Sequence, residues 1–155
     1  MNRGITTALF SIGLAQFLKI PIKMARSGKW DWSVFFETGG MPSSHSAGVS
    51  SLATFIALKK GISTVDFALS TIFGLIVMYD AQGVRRQTGE LSIRVNDLYE
   101  DLERLENQQK RAELHEEKEE KIKEVLGHQP EEVLGGALLG VATGSLSYLL
   151  SKKYR

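Results

Sequence analysis

Two short stretches of this chain place an imidazole at the mouth of an apolar segment, where it can do acid–base or nucleophilic chemistry. The first is Gly39-Gly40-Met41-Pro42-Ser43-Ser44-His45-Ser46-Ala47. Pro42 suits the start of a helix, Ser43 or Ser44 can cap it, and Ser46 to Leu58 reads as its body. Free N–H groups at such an end attract an anion, most often phosphate. A histidine held beside them can hand a proton to a leaving oxygen. The same residues also make an ordinary capped helix start with an incidental histidine. The second stretch is Gly127-His128-Gln129-Pro130-Glu131-Glu132. Pro130 fits a first helical position, and the two glutamates favour the helix dipole. His128 followed four residues later by Glu132 also fits an imidazole oriented by a carboxylate, which would make it a nucleophile or base.

Between these lies Tyr79-Asp80-Ala81-Gln82-Gly83-Val84-Arg85-Arg86. Adjacent arginines at the end of a span can be interfacial anchors, or their forked guanidinium groups can clamp phosphate oxygens. Asp80 at the end of an apolar run is costly unless paired, so its first role is structural, with Arg85, Arg86 or Lys23 as partner.

The elements that must carry these groups are membrane-like. The 155-residue chain has no cysteine, which removes disulfides and thiolate metal sites, and its net charge is +1. A mean hydropathy of -0.10 hides a strong segregation of charge. Of 18 acidic residues, only Asp31, Glu37, Asp66 and Asp80 fall outside Arg85 to Glu132. The remainder is apolar and modestly basic, as suits a membrane body that meets anionic headgroups. No basic stripe carries interleaved aromatics, so nucleic acid is not an expected partner. Four apolar segments stand out, Ile5 to Ile22, Ser46 to Leu58, Val65 to Ala81 and Val133 to Leu150. The first also fits a signal peptide, but no small-residue cleavage site precedes Lys19, which favours a retained span. The expectation is an all-α polytopic bundle of about four spans. In domain terms, 1–90 holds three membrane helices and the phosphate-site loops. A charged helical insertion fills 91–126, and 127–155 holds the final motif and last membrane helix.

With four spans, the loop from Lys23 to His45 and the loop from Gly83 to Glu132 must share one side of the membrane. Lys23, Arg26, Ser43, Ser44, His45, Arg85, Arg86 and His128 then converge. The cations of the two faces compete and do not decide orientation, whereas the charged helical segment suits the cytosol and assigns that side there. From Leu91 to Leu126 there is neither glycine nor proline, so one long helix or a helical hairpin is expected. Leu91, Val95, Leu98, Leu102 and Leu105 recur in steps of four and three, a seam that suits pairing of two copies through 91–105. A solvated single helix or a self-folded hairpin would also satisfy the pattern. Glu106–Lys110, Glu117–Lys121 and Glu119–Lys123 add i,i+4 pairs. Gly136, Gly140 and Gly144 mark one face of the last segment for close helix packing.

These motifs resemble those of the divergent branch of the type-2 phosphatidic acid phosphatase and vanadium haloperoxidase superfamily, small membrane proteins of bacteria and plastids. The resemblance rests on Gly-Gly-Met-Pro-Ser-Ser-His-Ser at 39–46, Asp-Ala-Gln-Gly-Val-Arg-Arg at 80–86 and Gly-His-Gln-Pro-Glu-Glu-Val at 127–133. It implies that Ser43, Ser44 and nearby main chain bind phosphate and that His45 protonates the leaving group. It also implies a phosphohistidine on His128, oriented by Glu132, with Arg85 or Arg86 clamping the phosphate. Lys23 and Arg26 stand where the first motif belongs, although the superfamily's lysine–arginine spacing there is longer and its arginine precedes proline rather than Ser27. Glutamate replaces the usual aspartate, and the charged segment separates an arginine from a histidine that usually lie a few residues apart. Such an insertion is tolerated if it leaves and returns at one place.

The sequence therefore points to a membrane phosphatase of a phospholipid or polyprenyl phosphate, without cofactor or divalent metal, in a bacterial plasma membrane. The other readings are a non-catalytic protein that binds or moves phospholipids, and a coiled-coil membrane scaffold. The fold alone does not choose among them.

Overall fold

The computed structural model describes residues 2–37, 39–109 and 127–153. Five helices follow one another: α1 (Arg3–Ser27), α2 (Ser44–Lys60), α3 (Val65–Gln82), α4 (Val84–Gln109) and α5 (Pro130–Lys153), with a 3-10 turn at Trp32–Phe36 between the first two. The protein is an all-α membrane bundle. Among the described residues three stretches are long and apolar enough to cross a bilayer: Arg3–Ala25, Val65–Leu102 (which runs from α3 into α4) and Pro130–Lys153. The fourth expected span, α2, has 17 residues, about 25 Å of helix against a hydrocarbon core of about 30 Å. It is the centre of the bundle, packed against α1, α3 and α5.

Polarity is distributed inside out. Thr7, Ser11, Ala15 and Lys19 recur every fourth residue of α1 and are all buried, whereas Leu9, Phe10 and Phe17 on its other faces are exposed. On α3 the exposed side chains include Leu69, Ile72, Phe73 and Ile76, and the buried residues are Gly74 and Ala81. In water this arrangement would leave large apolar surface unburied; in lipid the large side chains meet acyl chains and only small or hydrogen-bonded residues need the interior.

Close approach and hydroxyl pairs hold that interior together. A Cβ at Gly136, Gly140 or Gly144 would meet the carbonyl oxygen of Ser43, Ala47 or Ser51 respectively, so α5 lies with its backbone against that of α2. Between α1 and α5, Ser11 Oγ pairs with Thr143 Oγ1 at 2.9 Å and Thr7 Oγ1 with Ser147 Oγ at 2.6 Å. Ser11 Oγ also donates to Ala47 O at 3.1 Å, tying three helices together. Each such bond contributes on average about 0.6 kcal/mol in a membrane interior.

The helix from Val84 continues unbroken to Gln109. Its seam residues Leu91, Leu98, Leu102 and Leu105 are 50–60% exposed. Arg104 lies 3.7 Å from Asp101 and 4.0 Å from Glu100, as helical spacing allows. The rest of the expected insertion, with Lys110 and the later Glu–Lys pairs, falls outside the described residues.

Candidate functional site

The C-termini of α1 and α3 and the N-termini of α2 and α5 meet at one end of the bundle, and both histidines are there. α2 starts two residues earlier than the sequence suggests, at Ser44, with Ser43 as its cap. Ser43 Oγ accepts from Ser46 N at 3.3 Å and from Ser46 Oγ at 3.1 Å. Both bonds use that oxygen as acceptor, so the Ser43 proton remains free to point at an anion. Ser43 N donates to Glu132 O at 2.9 Å, which locks the start of α2 to the start of α5. Ser44 N and His45 N open the helix, and with its dipole they make the anion-attracting end expected of such a turn.

His128 is fixed from three directions. Its N–H donates to Ala81 O at 3.0 Å, and its Nδ1 lies 3.0 Å from Glu132 Oε2. The same carboxylate oxygen accepts from Gln129 N at 3.1 Å. Gly127 presses on the main chain of Arg85 and Arg86, where a Cβ could not fit. The charged segment therefore leaves and returns at one place, and a motif split by some forty residues of sequence is closed again in space. His128 is 2% exposed. With Glu132 accepting the Nδ1 proton, the lone pair sits on Nε2, which is buried with no partner among the described residues. The His45 ring lies edge-on to it at 5.8 Å between centroids, and His45 Nδ1 is likewise buried without a partner.

The cations depart from the sequence expectation. Lys23 pairs with Glu37 at 2.8 Å and lies 4.0 Å from Asp31, with its side chain 43% exposed. The buried cation is Lys19, which the sequence reading passed over. It is 2% exposed, donates to Glu37 O at 3.1 Å, and its charge reaches Glu132 and both histidines. Two signals were available in the sequence. Lys19 extends the inward stripe of Thr7, Ser11 and Ala15, and it stands seven residues, two turns, before Arg26. Arg26 itself closes α1, and its side chain lies outside the described residues. Arg85 Nε is bonded to Asp80 Oδ2 at 2.6 Å, and Arg86 Nε to Glu90 Oε1 at 3.0 Å. Asp80 thus has an arginine partner, while the charge of Arg85 still reaches both histidines. Among the described residues no cluster of three or more His, Asp or Glu is arranged to hold a metal ion.

Lys19→Met keeps the volume and removes the charge. On the phosphatase reading that the resemblance implies, its expected cost is about 10²–10³ in kcat/KM, the scale for losing one preorganised electrostatic donor. Lys23→Met should stay within about twofold, because exposed ion pairs contribute little. Comparable losses in the two variants would return the role to Lys23.

Burial pushes the His128 imidazole below its ordinary range, against the opposing pull of Glu132, which favours the protonated form. The neutral, nucleophilic ring therefore persists below about pH 6.5. The acid limb of kcat/KM should lie below that value, and Glu132→Gln should move it further down. Substrate ionisation cancels in the comparison of the two proteins. The sign for stability follows: a fold that disfavours the proton loses stability as pH falls from about 6.5 to the lowered value, and gains nothing from this group above it. A Glu132→Gln limb at higher pH than wild type would contradict the assignment.

A membrane bundle whose helix ends bring together a capped Ser-Ser-His turn, a carboxylate-held histidine and a buried lysine defines a class, and the comparisons place the chain in it. Residues 1–143 match the family described as Divergent PAP2 family. The chain belongs to that family. It is 46% identical over 142 residues, 90% of each chain, to a Bacillus subtilis (strain 168) protein called "Uncharacterized membrane protein YuiD". No solved structure matches.

Proposed function

We propose that this protein is a membrane phosphatase of lipid-linked phosphate that works through a covalent phosphohistidine. The observation that carries the reading is the pair of adjacent histidines, 5.8 Å between ring centroids, with the buried His128 holding its Nδ1 on a carboxylate and its Nε2 without a partner among the described residues. His128 Nε2 attacks phosphorus in line; the bond from phosphorus to the lipid oxygen breaks, and His45 protonates that oxygen. Water, deprotonated by His45, then attacks the phosphohistidine and releases inorganic phosphate and free His128. Lys19, Ser43 and the first N–H groups of α2 stabilise the charge on the non-bridging oxygens. A phospholipid or polyprenyl phosphate suits a site at the mouth of a membrane bundle, and a bacterial plasma membrane is the setting we infer.

The test is phosphate release by the purified protein in detergent from a panel of lipid phosphates, with EDTA present. Turnover that requires both histidines supports the reading. Folded wild type that releases no phosphate from any lipid defeats it.

One observation favours a second reading. Arg85 and Arg86 are engaged by Asp80 and Glu90, so the site as it stands holds phosphate with fewer cations than the superfamily's catalytic set. A non-catalytic phospholipid binder would keep this arrangement. It predicts saturable headgroup binding that survives in wild type without any turnover.

A further inference from the structure

The end of the bundle remote from the histidines carries a second concave, positively charged site. A cavity of about 430 Å³ opens there, lined by Arg3, Lys59, Tyr148, Ser151 and Lys152. Its cations come from the start of α1 and the ends of α2 and α5. Arg3 Nη1 donates to Ser151 O at 3.2 Å, and Lys59 Nζ lies 5.5 Å from the centre of the Phe55 ring. Arg3, Lys59 and Lys152 have no carboxylate partner among the described residues, whereas the adjacent Lys60 is paired with Asp66 at 2.7 Å.

Helix dipoles account for only part of this convergence. Lys59 and Lys152 lie in the last turns of their helices, where a cation is favoured. Arg3 opens α1, where the dipole opposes it. Three cations from three helices around one cavity repel each other and are best relieved by an anion. The Tyr148 ring and the Ser151 hydroxyl line the same space, which suits a headgroup with oxygens to bond. Basic cavities between helices at a membrane surface are places where phosphate-bearing headgroups settle.

We propose that this cavity binds a phosphate-bearing anion at the membrane face opposite the histidine site, either the headgroup of an anionic phospholipid or free phosphate. It is a separate site from the one formed by His45 and His128, and its occupancy does not depend on turnover there.

Native mass spectrometry of the detergent-solubilised protein reads occupancy directly, with phosphatidylglycerol, phosphatidylcholine and inorganic phosphate as separate probes. Wild type should retain phosphatidylglycerol in preference to phosphatidylcholine. The double variant Lys59→Gln, Lys152→Gln should bind it about 30-fold more weakly, the scale for losing two basic residues near an anionic surface. Lys59→Arg with Lys152→Arg should restore binding, which separates lost charge from lost fold. His128→Ala should leave this binding unchanged. Competition by millimolar inorganic phosphate identifies a soluble anion as the occupant, and indifference to it identifies the lipid. Equal retention of phosphatidylglycerol and phosphatidylcholine with no phosphate bound would overturn the proposal. So would a double glutamine variant that binds as wild type does.

Discussion

His128→Ala is expected to lower kcat for lipid phosphate by about four to six orders of magnitude, the scale seen when a covalent nucleophile is removed. Nothing else in the site can take its place. Among the described residues His45 is the nearest imidazole, yet none of their carboxylates holds its tautomer, and it would have to attack while also supplying the leaving-group proton. The effect of His45→Ala should be smaller, about 10²–10⁴ for a lipid alkoxide, and it should depend on the leaving group. With p-nitrophenyl phosphate, whose leaving oxygen needs no proton, the His45→Ala deficit should shrink strongly. The His128→Ala deficit should persist, because the bond to phosphorus still has to form. Wild type quenched in alkaline detergent should carry a phosphoryl group that is labile in acid and stable in base, and His128→Ala should carry none. If both variants lost activity equally on both substrates, the division of labour between the two rings would be wrong. Phosphoryl labelling of His45 in the His128→Ala protein would reverse their roles.

Much of this arrangement was legible before any coordinates, because its determinants are local. Pro130 with Glu131 and Glu132 marks a helix start by fixed φ and favourable dipole, and α5 begins at Pro130. A cap at Ser43 follows from side-chain chemistry within one turn. Apolar segments indicated about four spans, and the parity of the loops put both histidines at one end. What failed was choice among neighbours. Lys19 and Lys23 are one turn apart, and composition alone does not say which faces inward; the period-four stripe does, because small and hydroxyl residues mark the buried face in a membrane bundle. The sequence reading placed Lys19 inside the Ile5 to Ile22 span but gave it no part in the site, because it did not follow the period-four stripe. The arginines were equally ambiguous, because Asp80, at the end of α3, and Glu90, one turn after Arg86, compete with phosphate for them. Loop parity and a returning insertion already set Arg86 and His128 on one side of the bundle, but sequence distance does not say how closely; the contact of Gly127 with the main chain of Arg85 and Arg86 is a property of the fold.

Gly140→Leu is the substitution expected to do most damage to the fold without touching a chemical group. A Cβ at Gly140 would lie 2.5 Å from Ala47 O, 2.7 Å from Ser50 Cβ and 2.9 Å from Ser51 N. Two of those three atoms are backbone, so no rotamer change relieves the contact, and α5 must move off α2. Ala47 O also accepts the Ser11 hydroxyl at 3.1 Å, so the same displacement strains the tie among three helices. Even Gly140→Ala should cost about 3 kcal/mol, the upper range for overpacking, and lower the melting midpoint in detergent by roughly 6–12 °C. Gly135→Ala is the matched control on the same helix. Its Cβ would meet the end of the Met41 side chain, which can swing aside, so its midpoint should stay near that of wild type. The consequence reaches the chemistry through one bond. Ser43 N donates to Glu132 O across the same seam, so separating the helices moves Glu132 away from the cap of α2 and takes His128 with it. Activity should therefore fall further in Gly140→Ala than loss of folded protein explains, while Gly135→Ala retains both. A Gly140→Ala protein that melts and turns over like Gly135→Ala would show that α2 and α5 are not seated backbone to backbone.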